Sequence, residues 1–226
     1  MAFSLKNKIE RFFKSLALKL GYNVSPANLL YNERFVEYPW VFRRIQAMSC
    51  TILDIGCYYG DFSIKLASQG YEVYGIDTQK YKKKHPNFNF IQCDVRWLPF
   101  LSNIFPVVIA VSTIEHIGVG YYGDFNDSEG DKKALKEILR VLRDSGKILI
   151  TLPYGKGCIT AMHRVYNDSA LRRLIRDLDV KVEEEYFIKH KLTWVKSFQP
   201  EAESIDSSHE VRAVVCLNLS KSNLKS

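Results

Sequence analysis

The stretch Thr51-Ile-Leu-Asp-Ile-Gly-Cys-Tyr-Tyr-Gly60 constrains the fold more than any other part of the chain. An apolar, β-branched run leads into Asp54, a glycine turn follows, and Asp61-Phe-Ser-Ile-Lys-Leu-Ala67 then reads as a helix. The order is strand, tight turn, helix. Glycine lets the backbone take positive φ and lets a ligand approach closely. The helix that opens there presents free N–H groups to whatever occupies the turn. Alone, this is an ordinary βα turn of an α/β domain, and the segments around it decide whether it is a site.

Further strands are expected at Glu72–Ile76, ending at Asp77, at Phe88–Gln92, ending at Cys93-Asp94, at Phe105–Val111 and at Lys147–Leu152. Phe105–Val111 is nearly continuous in apolar character, as suits a central parallel strand buried on both faces. Residues 78–87 are too polar and too short for a good crossover helix. Asp131–Arg143 carries Ala134, Leu135, Ile138, Leu139 and Leu142 on one side and reads as a helix. Asn167 or Asp168 is placed to cap another helix running to about Asp177. Two late strands, 180–190 and 210–219, follow with a polar loop at 199–209. Strands alternating with helices and closing on a strand pair predict an α/β, Rossmann-like, doubly wound and mostly parallel sheet with one antiparallel element.

Before this region, Leu5, Ile9, Phe12, Leu16 and Leu20 fall on one helical face, flanked by five cations against Glu10. Such a basic amphipathic helix lies on a membrane surface, docks on a partner, or packs on the body of the domain. Pro39 is expected to open a second helix whose aromatics form a lid or packing layer. The expected division is therefore an N-terminal helical extension, 1–48, and an α/β domain, 49–226.

Composition narrows the setting. With 226 residues and 46% apolar content, the chain can bury a full core. Five cysteines, an odd number with no CxxC pair, indicate neither a disulfide framework nor a zinc site and fit a reducing, cytoplasmic compartment. No metal ligands are assigned. The net charge of +7 suits an anionic partner without fixing the fold.

The chemistry gathers at three strand ends. Asp77 follows Asp54 by 23 residues, where an acid accepts hydrogen bonds from ribose hydroxyls. Asp94, with Val95 as an apolar wall, suits an adenine amine. The turn Gly56-Cys-Tyr-Tyr-Gly60 lacks the middle glycine that a pyrophosphate needs, so it favours an adenosyl ligand carrying an amino-acid tail. These stretches, with Leu98-Pro-Phe and Ile-Leu-Arg-Val-Leu-Arg-Asp-Ser-Gly-Lys-Ile-Leu-Ile-Thr-Leu-Pro, resemble the class I S-adenosylmethionine-dependent methyltransferases over about residues 50–155. The string Ser112-Thr-Ile-Glu-His-Ile-Gly-Val-Gly-Tyr-Tyr-Gly-Asp124 is similar to a poorly characterised subgroup of them. The resemblance implies a seven-stranded sheet of order 3-2-1-4-5-7-6 with the last strand antiparallel. It implies S-adenosylmethionine as cofactor, with Asp54, Gly56, Cys57, Tyr58 and Gly60 at the methionine part, Asp77 and Thr78 at the ribose, Asp94 and Val95 at the adenine, and Ser112 nearby. Tyr58 departs from the glycine that most members carry.

The acceptor is expected beside the loop 112–130. Glu115 and His116 are the catalytic candidates, with His116 as a general base near neutral pH. Tyr121, Tyr122, His163, Arg164 and Tyr166 are the candidates for lining the substrate pocket, Arg164 gripping an anionic group. The expected activity is O- or N-methylation of a small molecule or glycoconjugate. No Asn/Asp-Pro-Pro-Tyr/Phe follows the fourth strand and no Pro-Cys dipeptide occurs, which argues against base-amine and cytosine-C5 methylation. The alternatives are a nucleic-acid-modifying or nucleic-acid-binding protein, suggested by net charge and the Lys80–Lys84 cluster around Tyr81, and a non-catalytic cofactor-binding scaffold docked on a membrane or partner through residues 1–20.

Overall fold

In the computed structural model, which describes residues 32–45 and 50–222, burial on two faces explains the strands. Strands β1 (Thr51–Ile55), β2 (Glu72–Asp77), β3 (Phe88–Gln92), β4 (Phe105–Val111) and β5 (Leu142–Pro153) pair in parallel in the order β3-β2-β1-β4-β5. Side chains alternate across the sheet, so successive residues enter different cores. Leu53, Ile55, Val108, Ala110, Ile148 and Ile150 face one side; Ile52, Val107, Ile109 and Leu149 face the other. All ten are fully or almost fully buried. At ~1.5–3 kcal/mol for each large aliphatic side chain removed from water, these strands carry much of the folding free energy.

Helices cover both faces. On one side lie helices α1 (Arg34–Ile45) and α2 (Phe62–Ser68), which bury Trp40, Val41, Ile45, Phe62 and Leu66. On the other lie α3 (Gly130–Val141) and α4 (Asp168–Ile175), which bury Leu135, Ile138, Leu171 and Leu174. Asn167 caps α4, its side chain accepting from Ala170 N at 2.9 Å. β2 and β3 are joined without a helix. A two-stranded ribbon, β6 (Cys158–Ile159) with β7 (Arg164–Val165), stands beside the main sheet.

The sheet continues past β5 through β10 (Ala213–Lys221), β8 (Val180–His190) and β9 (Thr193–Ser197). With β9 left aside, the sheet reproduces the order 3-2-1-4-5-7-6, β8 counting as the sixth strand and β10 as the seventh. The eighth, β9, was not expected. It turns back on β8 through Lys191, whose φ is +56, and pairs with it antiparallel. Two strands, β9 and β10, are therefore antiparallel to their neighbours, not one. A short helix, α5 (Gln199–Glu203), occupies part of the expected polar loop.

Pro39 lies inside α1 and does not open it. The helix starts earlier, where the Asn32 side chain accepts from Arg34 N at 3.2 Å. The missing N–H of Pro39 removes one hydrogen bond, and the buried stripe Val36, Trp40, Val41 and Ile45 holds the helix on the sheet regardless. The amphipathic segment 1–20 lies outside the described residues. Among the described residues, no helix is long and apolar enough to cross a membrane.

Candidate active site

A cavity of about 230 Å³ runs along the carboxyl ends of β1, β2 and β4. At one end stand Asp54, Gly56, Cys57, Arg34, Tyr38 and Ser63; Asp77, Thr78, Asp94 and Val95 follow; Ser112, Thr113, His116, Tyr122 and Asp124 line the rest. Ten of the residues singled out in the sequence thus border one space. Tyr58, Gly60, Glu115, Tyr121, His163, Arg164 and Tyr166 do not line it.

The turn is fixed by glycine. Gly56 has φ +79, and its N–H and that of Cys57 donate to the Ile76 carbonyl at 2.9 and 3.2 Å. A Cβ there would fall 2.4 Å from Thr113. Tyr58 turns its ring outward, and only its backbone N–H takes part, donating to Asp77 Oδ2 at 3.0 Å. That bond needs no side chain, so its ring is not what fixes the turn. Gly60 ends the turn beside the Tyr38 hydroxyl, its carbonyl accepting from Tyr81 at 3.2 Å.

Asp54 is buried and accepts from the Ser63 hydroxyl. Burial raises its carboxyl pKa, the Ser63 bond opposes the rise and Asp77 adds to it, which leaves it at about 7. Asp77 accepts from Tyr58 N and from Gln79 N at 2.8 Å, and burial raises it too. Asp94 faces the cavity differently from the free acceptor expected. Burial would raise its pKa, but Arg96 clasps both oxygens at 2.6–3.1 Å and holds the carboxyl below its ordinary value. This part of the cavity is thus lined by an ion pair beside the apolar Val95.

His116 sits in the short turn after β4. Its Nδ1 is 2.7 Å from the Met162 carbonyl, which can only accept, so Nδ1 carries the proton and Nε2 keeps the lone pair. Burial lowers its pKa, with the Met162 bond in opposition, so the ring is neutral at pH 7. Glu115 is buried, its Oε1 3.8 Å from His116 Nε2 and its Oε2 without a hydrogen-bond partner among the described residues. Burial pushes this carboxyl well above the ordinary range. Burial thus favours the uncharged form of this neighbour of His116.

Two substrate candidates are corrected. Arg164 is buried and donates to the carbonyls of Ile117 (2.7 Å) and Asp127 (3.2 Å), with Asp131 3.7 Å away. Tyr166 is buried and donates to Asp131 at 2.9 Å. Both tie the loop after β4 to α3 and have no surface for an anionic ligand. Replacing Arg164 with methionine is expected to destabilise the fold by about 3 kcal/mol, because it strands buried carbonyls and the Asp131 carboxylate. A urea midpoint within error of the parent protein would contradict this. His163 packs edge-on against His116, centroids 5.9 Å apart, and Tyr121 lies edge-on to Tyr122 at 4.9 Å.

Sequence reasoning missed Arg34, Tyr38, Tyr59, Arg96 and Asp124. Arg34 and Tyr38 arrive on α1, and Tyr38 stacks on Phe62 at 4.2 Å. Arg34 pairs with Glu37, whose other oxygen accepts from the Ser112 hydroxyl at 2.7 Å. The aromatic content of this helix was the available signal, and it pointed to a lid or packing layer. Ser112 itself holds φ +43, a strained backbone at the cavity wall.

Residues 53–150 match the methyltransferase-domain family. That stretch, a little under half of the chain, is similar to a methyltransferase domain. No curated protein matches it in sequence. Among solved structures, it is similar to the 1,6-didemethyltoxoflavin-N1-methyltransferase of Burkholderia thailandensis (TM-score 0.60, 15% identity, covering 97% of this chain and 90% of that one). It is also similar to a TehB-like methyltransferase from Corynebacterium glutamicum (0.55, 15%, 98% and 100%) and to the [4+2]-cyclase SpnF (0.59, 14%, 87% and 81%). These likenesses concern the fold, which also serves a cyclase, so the chemistry must be argued from the site.

The methyltransferase's cofactor is S-adenosylmethionine, and the cavity suits it in donor type. Asp54 beside the glycine turn can meet an ammonium, Arg34 a carboxylate, Asp77 a vicinal diol, and Val95 the face of a purine. The turn is tight enough that only glycine fits at 56.

Proposed function

We propose that the protein transfers a methyl group from S-adenosylmethionine to an oxygen or nitrogen of a small molecule, with residues 49–226 as the catalytic domain and 1–48 as an extension whose α1 helps to wall the site. The observation that carries this is the single cavity that joins the glycine turn, Asp77 and Asp94 to His116. Bound there, the cofactor supplies an electrophilic methyl on a sulfonium with a neutral leaving group. The chain then has three tasks. It orients the two reactants in line, which supplies most of the rate. It shields them from water with Tyr38 and Tyr122. It receives the acceptor's proton at Nε2 of His116, whose ring lines the cavity with its Nδ1–H held on the Met162 carbonyl.

The electrostatics favour a small acceptor over a polyanion. Asp54, Asp77, Asp94 and Asp124 line the cavity, and its two arginines, Arg34 and Arg96, are already paired with Glu37 and Asp94. The Lys80–Lys84 cluster does not border it, and Tyr81 packs on Phe88 rather than standing out as a stacking platform. An anionic acceptor also loses its proposed anchor with Arg164 buried.

Calorimetry with S-adenosylhomocysteine and S-adenosylmethionine tests the reading directly; no heat at saturating protein would sink it. The pH dependence adds a sharper expectation. Below pH 7 Asp54 is protonated and cannot pair with an ammonium, so affinity for the cationic cofactor should rise through pH 7 and level off above it. Between pH 6 and 8 the gain is about tenfold. Asp54→Asn should weaken binding and flatten the profile. An unchanged profile in that variant would remove Asp54 from the methionine end.

A further inference from the structure

The acceptor end of the cavity has an unusual wall. Tyr58, Tyr59, Tyr122, Tyr121 and His116 form a connected series of rings: Tyr58 meets Tyr59 edge-on at 4.8 Å, Tyr59 meets Tyr122 at 5.9 Å, and Tyr122 meets both Tyr121 (4.9 Å) and His116 (5.2 Å) edge-on. Tyr59 lines the cavity and, among the described residues, stays 65% exposed despite its two ring contacts. Within this array Tyr59 and Tyr122 reach the cavity together with His116, so the wall and the base address the same ligand.

Charge at this end is already spent. Arg34 is held by Glu37, Arg96 by Asp94 with Asp127 3.5 Å away, and Arg164 is internal. Among the described residues, both arginines that border the cavity are thus already paired. The acids are equally committed. Asp124 accepts from Gly118 N at 2.5 Å and Gly120 N at 3.1 Å, bracing its own loop, while Glu115 does not line the cavity and burial raises its pKa. The one acid that lines this end among the described residues is thus already engaged by its own backbone.

We propose, on the methyltransferase reading above, that the acceptor is a flat, uncharged aromatic compound bearing a ring hydroxyl, laid against Tyr59 and Tyr122 with the hydroxyl at His116 Nε2. Aromatic walls favour flat rings through offset and edge contacts. A phenol-type hydroxyl, with a pKa of about 10, yields its proton to a neutral imidazole far more readily than an aliphatic alcohol does. The acceptor oxygen forms the new C–O bond as the S–C bond breaks. Its electron pair leaves with sulfur as a neutral thioether, and the hydroxyl proton moves to Nε2 and then to solvent.

Four compounds of one size separate the elements of the proposal: 2-naphthol, the saturated 2-decalol, 2-naphthyl phosphate and 2-(aminomethyl)naphthalene. Calorimetry on the full chain saturated with S-adenosylhomocysteine measures their binding. 2-Naphthol is expected to bind about fivefold or more tighter than each of the others. With S-adenosylmethionine it should yield 2-methoxynaphthalene, detected by mass. Tyr122→Leu should lose about fivefold in naphthol affinity while Tyr122→Phe keeps it, both variants still binding S-adenosylhomocysteine as proof of folding. Equal or tighter binding of the decalol or of either charged compound overturns the proposal. So does failure of all four to bind the loaded protein, or an undiminished Tyr122→Leu. If S-adenosylhomocysteine itself does not bind, the cofactor reading has failed, and the acceptor proposal falls with it.

Discussion

Replacing Gly56 with alanine is expected to destabilise the protein by about 3–5 kcal/mol and to abolish measurable binding of S-adenosylhomocysteine. Two independent effects add. A φ of +79 costs an L-residue about 1–2 kcal/mol. The new Cβ also meets Thr113 at 2.4 Å. Thr113 cannot turn away freely, because its one hydroxyl proton is shared between the Ile55 carbonyl at 3.1 Å and the Val111 carbonyl at 3.0 Å, at the ends of β1 and β4. Relief must come from the backbone, and that moves the wall of the site. Urea unfolding of three variants separates the contributions. The pair Gly56→Ala with Thr113→Ala should be less damaged than the sum of the single changes, since one deletion removes the collision while the dihedral strain stays. Gly56→Ala within about 0.5 kcal/mol of the parent would mean that the turn is looser than this geometry and that its glycine is not required.

The turn was legible because its signals are local. An apolar run, an acid, glycine and a helical pattern stand within a few residues, and β2 and β3 end in acids by the same logic. The buried parallel strands betrayed themselves by continuous apolar composition, since both of their faces meet helices. What escaped was set by distant partners. Nothing near Arg164 or Tyr166 reveals that Asp131 will take up both, and polar side chains close to a site read as pocket residues until that partner is known. β9 escaped because its turn is unconventional: Lys191 takes positive φ where glycine or asparagine usually marks a hairpin, and the half-polar Thr-Trp-Val-Lys-Ser carries little burial signal. Pro39 misled for a different reason. Proline is common in the first turn of a helix, yet the strength of the buried stripe in α1 tolerates it farther in. The same helix brings Arg34 and Tyr38 over the cavity. The sequence marked it as aromatic, but its position over β4 and β5 is a tertiary fact.

Replacing His116 with alanine should lower kcat by about 10²–10⁴-fold while S-adenosylhomocysteine still binds. The ring has three features of a base: an Nδ1–H anchored on the Met162 carbonyl, a place in the cavity lining with the Nε2 lone pair left over, and a pKa that burial holds below its usual value. The last fixes the sign of the pH dependence. Activity requires the unprotonated ring, so with the cofactor saturating, kcat/KM for the acceptor should rise with pH on a limb lying below about pH 6.5 and stay flat at neutral pH. That limb should vanish in His116→Ala, leaving a slow rate without it. Glu115 tests the surroundings of the base. Because burial favours the uncharged carboxyl, Glu115→Gln should reduce kcat far less than His116→Ala does. A Glu115→Gln loss as large as that of His116→Ala would mean that Glu115 is ionised when the reaction occurs, and that the pair works as a charged dyad. An unchanged kcat in His116→Ala would instead make the ring a strut between the turn after β4 and Met162, and leave methyl transfer to orientation alone.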